Sequence, residues 1–203
     1  MAAAPSPSVA LLCCAWRDGG LAALLPAQGG RDALLQAPLP STQTPDAAVE
    51  ILARRSIGRL PTWRSQVAAL REGSALTVLY VAVLPPETDA PDGMRWQPLG
   101  RGTSSAAMRA ALAHLRDRLD REPLAFRLLG SSFTLSDLQQ VYELLLERRV
   151  HKASFRRALM AAHLVEPTDQ WRSEGRGRPA QLFRYAPRRR RGAPRAVRFD
   201  LLG

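Results

Sequence analysis

The chain has 203 residues, which allows one large domain or two small ones. Its hydrophobic fraction of 46% and charged fraction of 23% are those of a globular protein and exclude wholesale disorder, collagen-like sequence and a disulfide scaffold. The net charge of +11 is unusual, and Lys152 is the one lysine among 29 basic residues.

The charge is unevenly placed. Residues 1–130 hold 14 basic and 11 acidic residues, whereas residues 131–203 hold 15 and 7. Positive charge gathered in one segment favours a polyanionic partner, because each neutralised phosphate releases counterions. The two cysteines, Cys13 and Cys14, are adjacent. Neighbours in a strand face opposite ways, so no bridge between them is expected, and the usage suits a reducing cytoplasm. Two cysteines with the scattered His114, His151 and His163 do not make a zinc finger. No apolar run approaches the roughly 20 residues that span a bilayer. The first residues lack a positive segment ahead of their short apolar run, so no signal peptide is expected.

Residues 9–16 (VALLCCAW) and 21–25 (LAALL) are apolar runs around Asp18, Gly19 and Gly20, which predicts a β-hairpin. Residues 26–45 are rich in Pro, Gly, Gln, Ser and Thr and read as loop. A helix follows in DAAVEILARRSIG, with Thr44 as its cap, Pro45 in its first turn and Gly58 at its end. Residues 76–84 (LTVLYVAVL) form a near-continuous apolar run, which predicts a buried central strand. ETDAPDGMRWQPLGRG reads as loop. Together these elements suggest an α/β sandwich.

From about Ser104, Met108, Ala111, Leu112, Leu115 and Leu119 recur at helical spacing up to an interruption at Pro123. Thr134 caps a further helix whose apolar face is Leu135, Leu138, Tyr142, Leu145 and Leu146. A short link through Arg149, Val150 and His151 leads to KASFRRALMAAH, with Phe155, Leu159 and Ala162 facing inward. Two helices joined by a short turn fit a helix-turn-helix. DQWRSEGRGRPAQLFRY then reads as a β-hairpin wing with an arginine- and glycine-rich tip.

This order of elements predicts DNA binding. A recognition helix offers its N-terminal side chains to the major groove, and here that end carries Lys152, Ser154, Arg156 and Arg157. The wing would bring Arg172, Arg176, Arg178 and Gln181 to phosphates or into a minor groove.

The run from Phe133 to Tyr185, FTLSDLQQVYELLLERRVHKASFRRALMAAHLVEP followed by GRGRPAQLFRY, closely resembles the C-terminal winged helix of Nudix-related transcriptional regulators. These are the NrtR-type regulators of NAD metabolism and their NadQ-like relatives. The preceding LRDRLDREPLAFRLLG resembles their linker helix. The resemblance implies an N-terminal Nudix-like α/β/α sandwich over 1–103, a linker over 104–130, a winged helix over 131–186 and a basic tail over 187–203. It implies a cytoplasmic bacterial repressor of NAD-metabolism genes, dimeric through the first domain, on a palindromic operator.

Active Nudix hydrolases carry G-x5-E-x7-R-E-U-x-E-E-x-G-U, where U is bulky and apolar and the glutamates hold divalent cations. With Gly58 as the late glycine, Arg55 and Ser56 stand where the adjacent glutamates belong, Leu52 on the other glutamate and Ile51 on the arginine. Asp46 and Glu50 remain nearby. The expectation is a helix kept and a hydrolytic chemistry lost, with no metal or cofactor. The family resemblance implies an effector related to NAD: ADP-ribose, NAD or ATP. Arg54, Arg55, Arg59 and Arg64 would supply cations for its phosphates, and Trp63 or Trp96 an aromatic face. Exposed helix arginines and a core or loop tryptophan are the plainer reading of each. A divergent hydrolase, or a DNA-binding protein with a purely structural first domain, are the alternatives.

Overall fold

The structure, a computed structural model, describes residues 6–30, 33–99, 105–173 and 179–186. It divides into two compact units, the first comprising Met1–Arg17 and Leu21–His114 and the second Asp18–Gly20 and Leu115–Gly203.

In the first unit, β1 (Ser8–Arg17) turns through Asp18 and Gly19, both at positive φ, into β2 (Gly20–Pro26). The expected hairpin is present. β1 is also the sheet's organiser, because β5 (Ala75–Val83) runs parallel along it from Ser8 opposite Thr77 to Cys14 opposite Val83. β4 (Trp63–Glu72) pairs antiparallel with β5, and β6 (Met94–Pro98) with β2, giving the order β4-β5-β1-β2-β6. The short β3 (Leu35–Pro38) adds to β1 at Ser8–Leu11. β3 and β6 form where the sequence predicts loop, and β4 forms where it predicts no element.

α1 (Pro45–Ile57) starts and stops as its caps dictate. The Thr44 hydroxyl accepts from the Ala47 N–H, Pro45 opens the first turn, and Gly58 ends the helix at φ 71°, where a side chain would be strained. Ala48, Val49, Leu52, Ala53 and Ile57 are buried against alternate residues of β1 (Val9, Leu11, Cys13, Ala15) and of β5 (Val78, Tyr80, Ala82). The intervening Leu79, Val81 and Val83 are buried as well, which is why the β5 run lacks polar alternation. Both cysteines are free and buried, and burial pushes the Cys13 thiol up to about 12 and Cys14 higher still. α2 (Ala106–Arg118) buries Met108, Ala111 and Leu115, and His114 Nε2 lies 2.9 Å from Ser65 Oγ.

In the second unit, α3 (Leu124–Leu129) follows Pro123, and α4 (Leu135–Leu146) and α5 (Lys152–Ala161) follow Gly130. β7 (Val165–Arg172) and β8 (Ala180–Tyr185) form an antiparallel hairpin. The helix-turn-helix and wing expected from the sequence are both present. On α4, Val141 joins the buried face while Leu146 is half-buried; on α5, Phe155 and Leu159 are buried and Ala162 is half-buried. Among the described residues no helix is long and apolar enough to cross a membrane.

Candidate nucleic-acid interface and nucleotide-sized cavity

The turn between α4 and α5 is held by side chains rather than by glycine. Glu143 Oε1 accepts from the Val150 N–H at 2.9 Å and from Gln139 Nε2 at 3.1 Å, and Gln139 also donates to the Val150 carbonyl. These hydrogen bonds hold the Glu143 carboxyl below the usual glutamate range. His151 then caps α5, its Nδ1 accepting from the Ser154 N–H at 3.4 Å. Phe155 packs edge-on to Tyr142 at 5.2 Å and, with Leu159, fixes the inner face of α5. That rotation leaves Lys152, Ser154, Arg156 and Arg157 exposed on the outer face. No ion pair joins these side chains to another described residue. All four residues expected at the DNA-facing end are therefore exposed to solvent near the start of α5.

The wing is pinned at its base. Phe133 and Phe183 exchange backbone hydrogen bonds of 3.0 and 2.8 Å, and Tyr185 stacks on Phe126 with centroids 4.5 Å apart. Arg172 Nη2 donates to Asp137 Oδ1 at 2.7 Å, so this arginine reaches α4. Gln181 Nε2 donates across the hairpin to the Thr168 carbonyl at 3.4 Å. These two expected DNA-contacting residues thus also have internal partners. Arg176 and Arg178 lie outside the described residues, as does the basic tail. The sequence reading did not single out Trp171. It is 54% exposed, opposite Gln181 in the hairpin register. A large aromatic residue beside a glycine- and arginine-rich tip was the signal available for it.

In the first unit, a cavity of about 480 Å³ is lined by Asp46, Pro61, Thr62, Trp63, Arg64, Ser65, Gln66 and Tyr80. That volume is in the range of small-ligand sites. It lies beside the start of α1, over β4 and β5. The Tyr80 hydroxyl donates to Gln66 Oε1 at 3.4 Å. Burial first, then the Asp46 carboxylate and its hydrogen bond, push the Tyr80 hydroxyl up to about 12, so it stays protonated at neutral pH. Arg64 forms an ion pair with Glu50. Of the four arginines expected to meet an effector, Arg64 lines this cavity. Arg54 and Arg55 are exposed on α1, and Arg59 donates to the Thr88 hydroxyl. Trp63 lines the cavity, whereas Trp96 donates to the Thr88 carbonyl at 3.1 Å and carries the Arg17 guanidinium 5.1 Å from its ring centroid.

Comparison with known proteins bears on both units. Residues 125–185 match the family model of the NrtR DNA-binding winged helix domain. A curated relative, the ADPR responsive transcriptional repressor NtrR of Acinetobacter baylyi, is 38% identical over 79 residues, which is 39% of this chain and 31% of that protein. The match thus spans about a third of the relative's length. Shewanella oneidensis NrtR, solved in complex with a 27mer DNA, superposes with a TM-score of 0.72 at 22% identity, over 89% of this chain and 93% of that one. A MutT/nudix family protein from Enterococcus faecalis gives 0.66 at 17% identity, over 90% and 88%. Over the matched 89% of the chain the fold resembles that of NrtR, with a Nudix-like domain and a winged helix.

The NrtR fold raises the question of a divalent metal, since Nudix domains use one for hydrolysis. The residues present do not fit it. At the box positions Leu52 is buried in the core, Arg55 is an exposed cation, and Ser56 supplies a hydroxyl in place of a carboxylate. Among the described residues no group of three His, Cys, Asp or Glu side chains is placed to hold a metal ion. Calcium and magnesium need clustered oxygen ligands, carboxylates foremost.

Proposed function

We propose that this protein is a DNA-binding transcriptional repressor with a Nudix-like first unit that responds to a nucleotide related to NAD, and that it is a homodimer on a palindromic operator. One observation carries the DNA reading. With Phe155 and Leu159 buried, Lys152, Ser154, Arg156 and Arg157 are all exposed, within a segment matching a DNA-binding winged helix family. Side chains at the N-terminal end of a recognition helix are those that reach base edges. The Acinetobacter relative, named for its response to ADPR, supports ADP-ribose as the first effector to try. The NAD-metabolism genes are the proposed targets. The first unit is proposed to bind its nucleotide without hydrolysing it, because the metal-binding carboxylates of the box are replaced.

Selection of bound fragments from the source genome at near-physiological salt tests the proposal, repeated with ADP-ribose, NAD and ATP. Enrichment of a palindrome beside NAD-synthesis or salvage genes, altered by one nucleotide, is the expected result. Enrichment insensitive to all three would remove the effector. No enrichment would remove sequence-specific binding. Release of products from ADP-ribose with Mg²⁺ or Mn²⁺ would overturn the assignment as a non-enzyme.

A further inference from the structure

The cavity between α1 and β4 has a chemistry that the effector reading alone does not specify. Its polar groups are mostly acceptors or neutral. Asp46 supplies a carboxylate, Gln66 an amide and Tyr80 a protonated hydroxyl. Its one cation, Arg64, is already neutralised by Glu50. The lining itself holds one carboxylate, Asp46, and one guanidinium, Arg64, whose partner Glu50 lies outside it. A diphosphate placed here would face the Asp46 carboxylate and would have to displace the Arg64–Glu50 ion pair.

A sugar meets the opposite situation. Vicinal hydroxyls are donors, and a carboxylate that accepts from them is the usual device by which dinucleotide-binding folds hold a ribose. Asp46 is in the first turn of α1, where the helix end also favours a negative side chain. Tyr80 and Gln66 flank it from adjacent strands, fixed by the register that sets Gln66 opposite Tyr80. Trp63 lines the same cavity and provides a planar face for a base.

From this juxtaposition we infer that the cavity takes the nucleoside part of a ligand, its ribose hydroxyls held by Asp46, Tyr80 and Gln66 and its base against Trp63. Phosphates are left outside it. The inference rests on the effector reading and narrows it to one end of the molecule. It also reassigns Arg64, which pairs with Glu50 in place of binding phosphate.

Titration calorimetry on the full chain, with adenosine, inorganic diphosphate and ADP-ribose as probes, tests this. Adenosine is expected to bind and to compete with ADP-ribose, while diphosphate at equal concentration does neither. Asp46→Asn is expected to weaken adenosine at least tenfold, with DNA affinity in the absence of nucleotide unchanged. Tyr80→Phe keeps the buried ring and removes only the hydroxyl, so it guards against a folding artefact, and a loss of several-fold is expected. Unchanged adenosine affinity in both variants, or competition by diphosphate alone, would overturn the inference. Should ADP-ribose bind but ignore Asp46→Asn, the nucleoside site fails and the effector reading stands. Adenosine binding lost in Asp46→Asn, with no response to ADP-ribose, supports the site and removes ADP-ribose as the effector. No binding of adenosine overturns the site directly.

Discussion

Arg172 on the wing and Asp137 on α4 are joined by a 2.7 Å charge-assisted hydrogen bond, and Asp137 is at the same time the third residue of the α4 capping box. Its second oxygen accepts from the Thr134 N–H at 2.8 Å while Thr134 Oγ1 accepts from the Asp137 N–H. One carboxylate therefore fixes the start of the first helix of the helix-turn-helix and the strand that carries the wing.

Replacing Asp137 with alanine is expected to cost about 1–2 kcal/mol, most of it from the cap, because a part-exposed ion pair contributes little. Arg172 was expected at DNA, and its pairing separates two roles. If Arg172 only positions the wing, Arg172→Ala and Asp137→Ala should lower DNA affinity non-additively and leave the salt slope unchanged. If it contacts phosphate, Arg172→Ala alone should reduce that slope by about 1. The pairing favours the first outcome. Fluorescence anisotropy over a salt series on wild type, both single variants and the double variant decides it.

Arg156 and Arg157 are adjacent on the exposed face of α5, and adjacent helical residues point about 100° apart. The two are therefore expected to do different work. One should lose about 1–3 kcal/mol on operator DNA and relax specificity at one base pair when changed to alanine. The other should weaken operator and bulk DNA alike, as a phosphate contact does. Equal behaviour of both on both DNAs would mean that neither reads bases. Competition binding against a shuffled operator gives the comparison.

Much of the fold was legible because its signals are local. Thr44, Pro45 and Gly58 bound α1, the apolar run marks β5, and Thr134 with the spacing of Leu135, Leu138 and Tyr142 marks α4. What was not legible depends on partners far along the chain. β3 is four residues long and exists by pairing with β1. β4 is an edge strand with a bulge between Gln66 and Ala68 and half-exposed residues, so its pattern shows no clean alternation. β6 did carry a period-two signal in Met94 and Trp96, both packed against the α1 core, but prolines and glycine around it read more strongly as loop. The exposed residues of α5 followed from helical periodicity. The cavity did not, because Gln66 and Tyr80 meet through sheet register and Asp46 joins them from α1, and the tie from Arg172 to Asp137 spans 35 residues.

Trp171 is an optical probe of the wing. It is more than half exposed on β7, while Trp16 is buried in the first unit. An aromatic side chain beside bound DNA is covered by sugar or base and its emission changes. Adding operator is expected to quench part of the tryptophan emission and to shield it from iodide. Trp171→Phe should abolish that change and weaken binding by about tenfold, roughly 1.4 kcal/mol. An unchanged emission difference in Trp171→Phe would place the tryptophan away from DNA.

Glu143 supplies the pH dependence of the second unit. Its carboxylate is stabilised by the Val150 N–H first and by Gln139 next, so its folded pKa lies below the ordinary 4.5. A carboxyl depressed on folding contributes stability that is complete above its unfolded value and is lost as pH falls through the folded one. The turn between α4 and α5 should therefore hold from neutral pH down to the ordinary glutamate range and weaken below it. Glu143→Gln keeps an acceptor for Val150 but removes the charge. Thermal melts of wild type and variant should differ most at neutral pH and converge as the wild-type carboxylate is protonated. DNA affinity above that range should fall in the variant in proportion to the lost stability, because α5 is set by this turn. A difference between the two melts that stays constant from pH 7 to 3 would show that the charge plays no part in holding the turn.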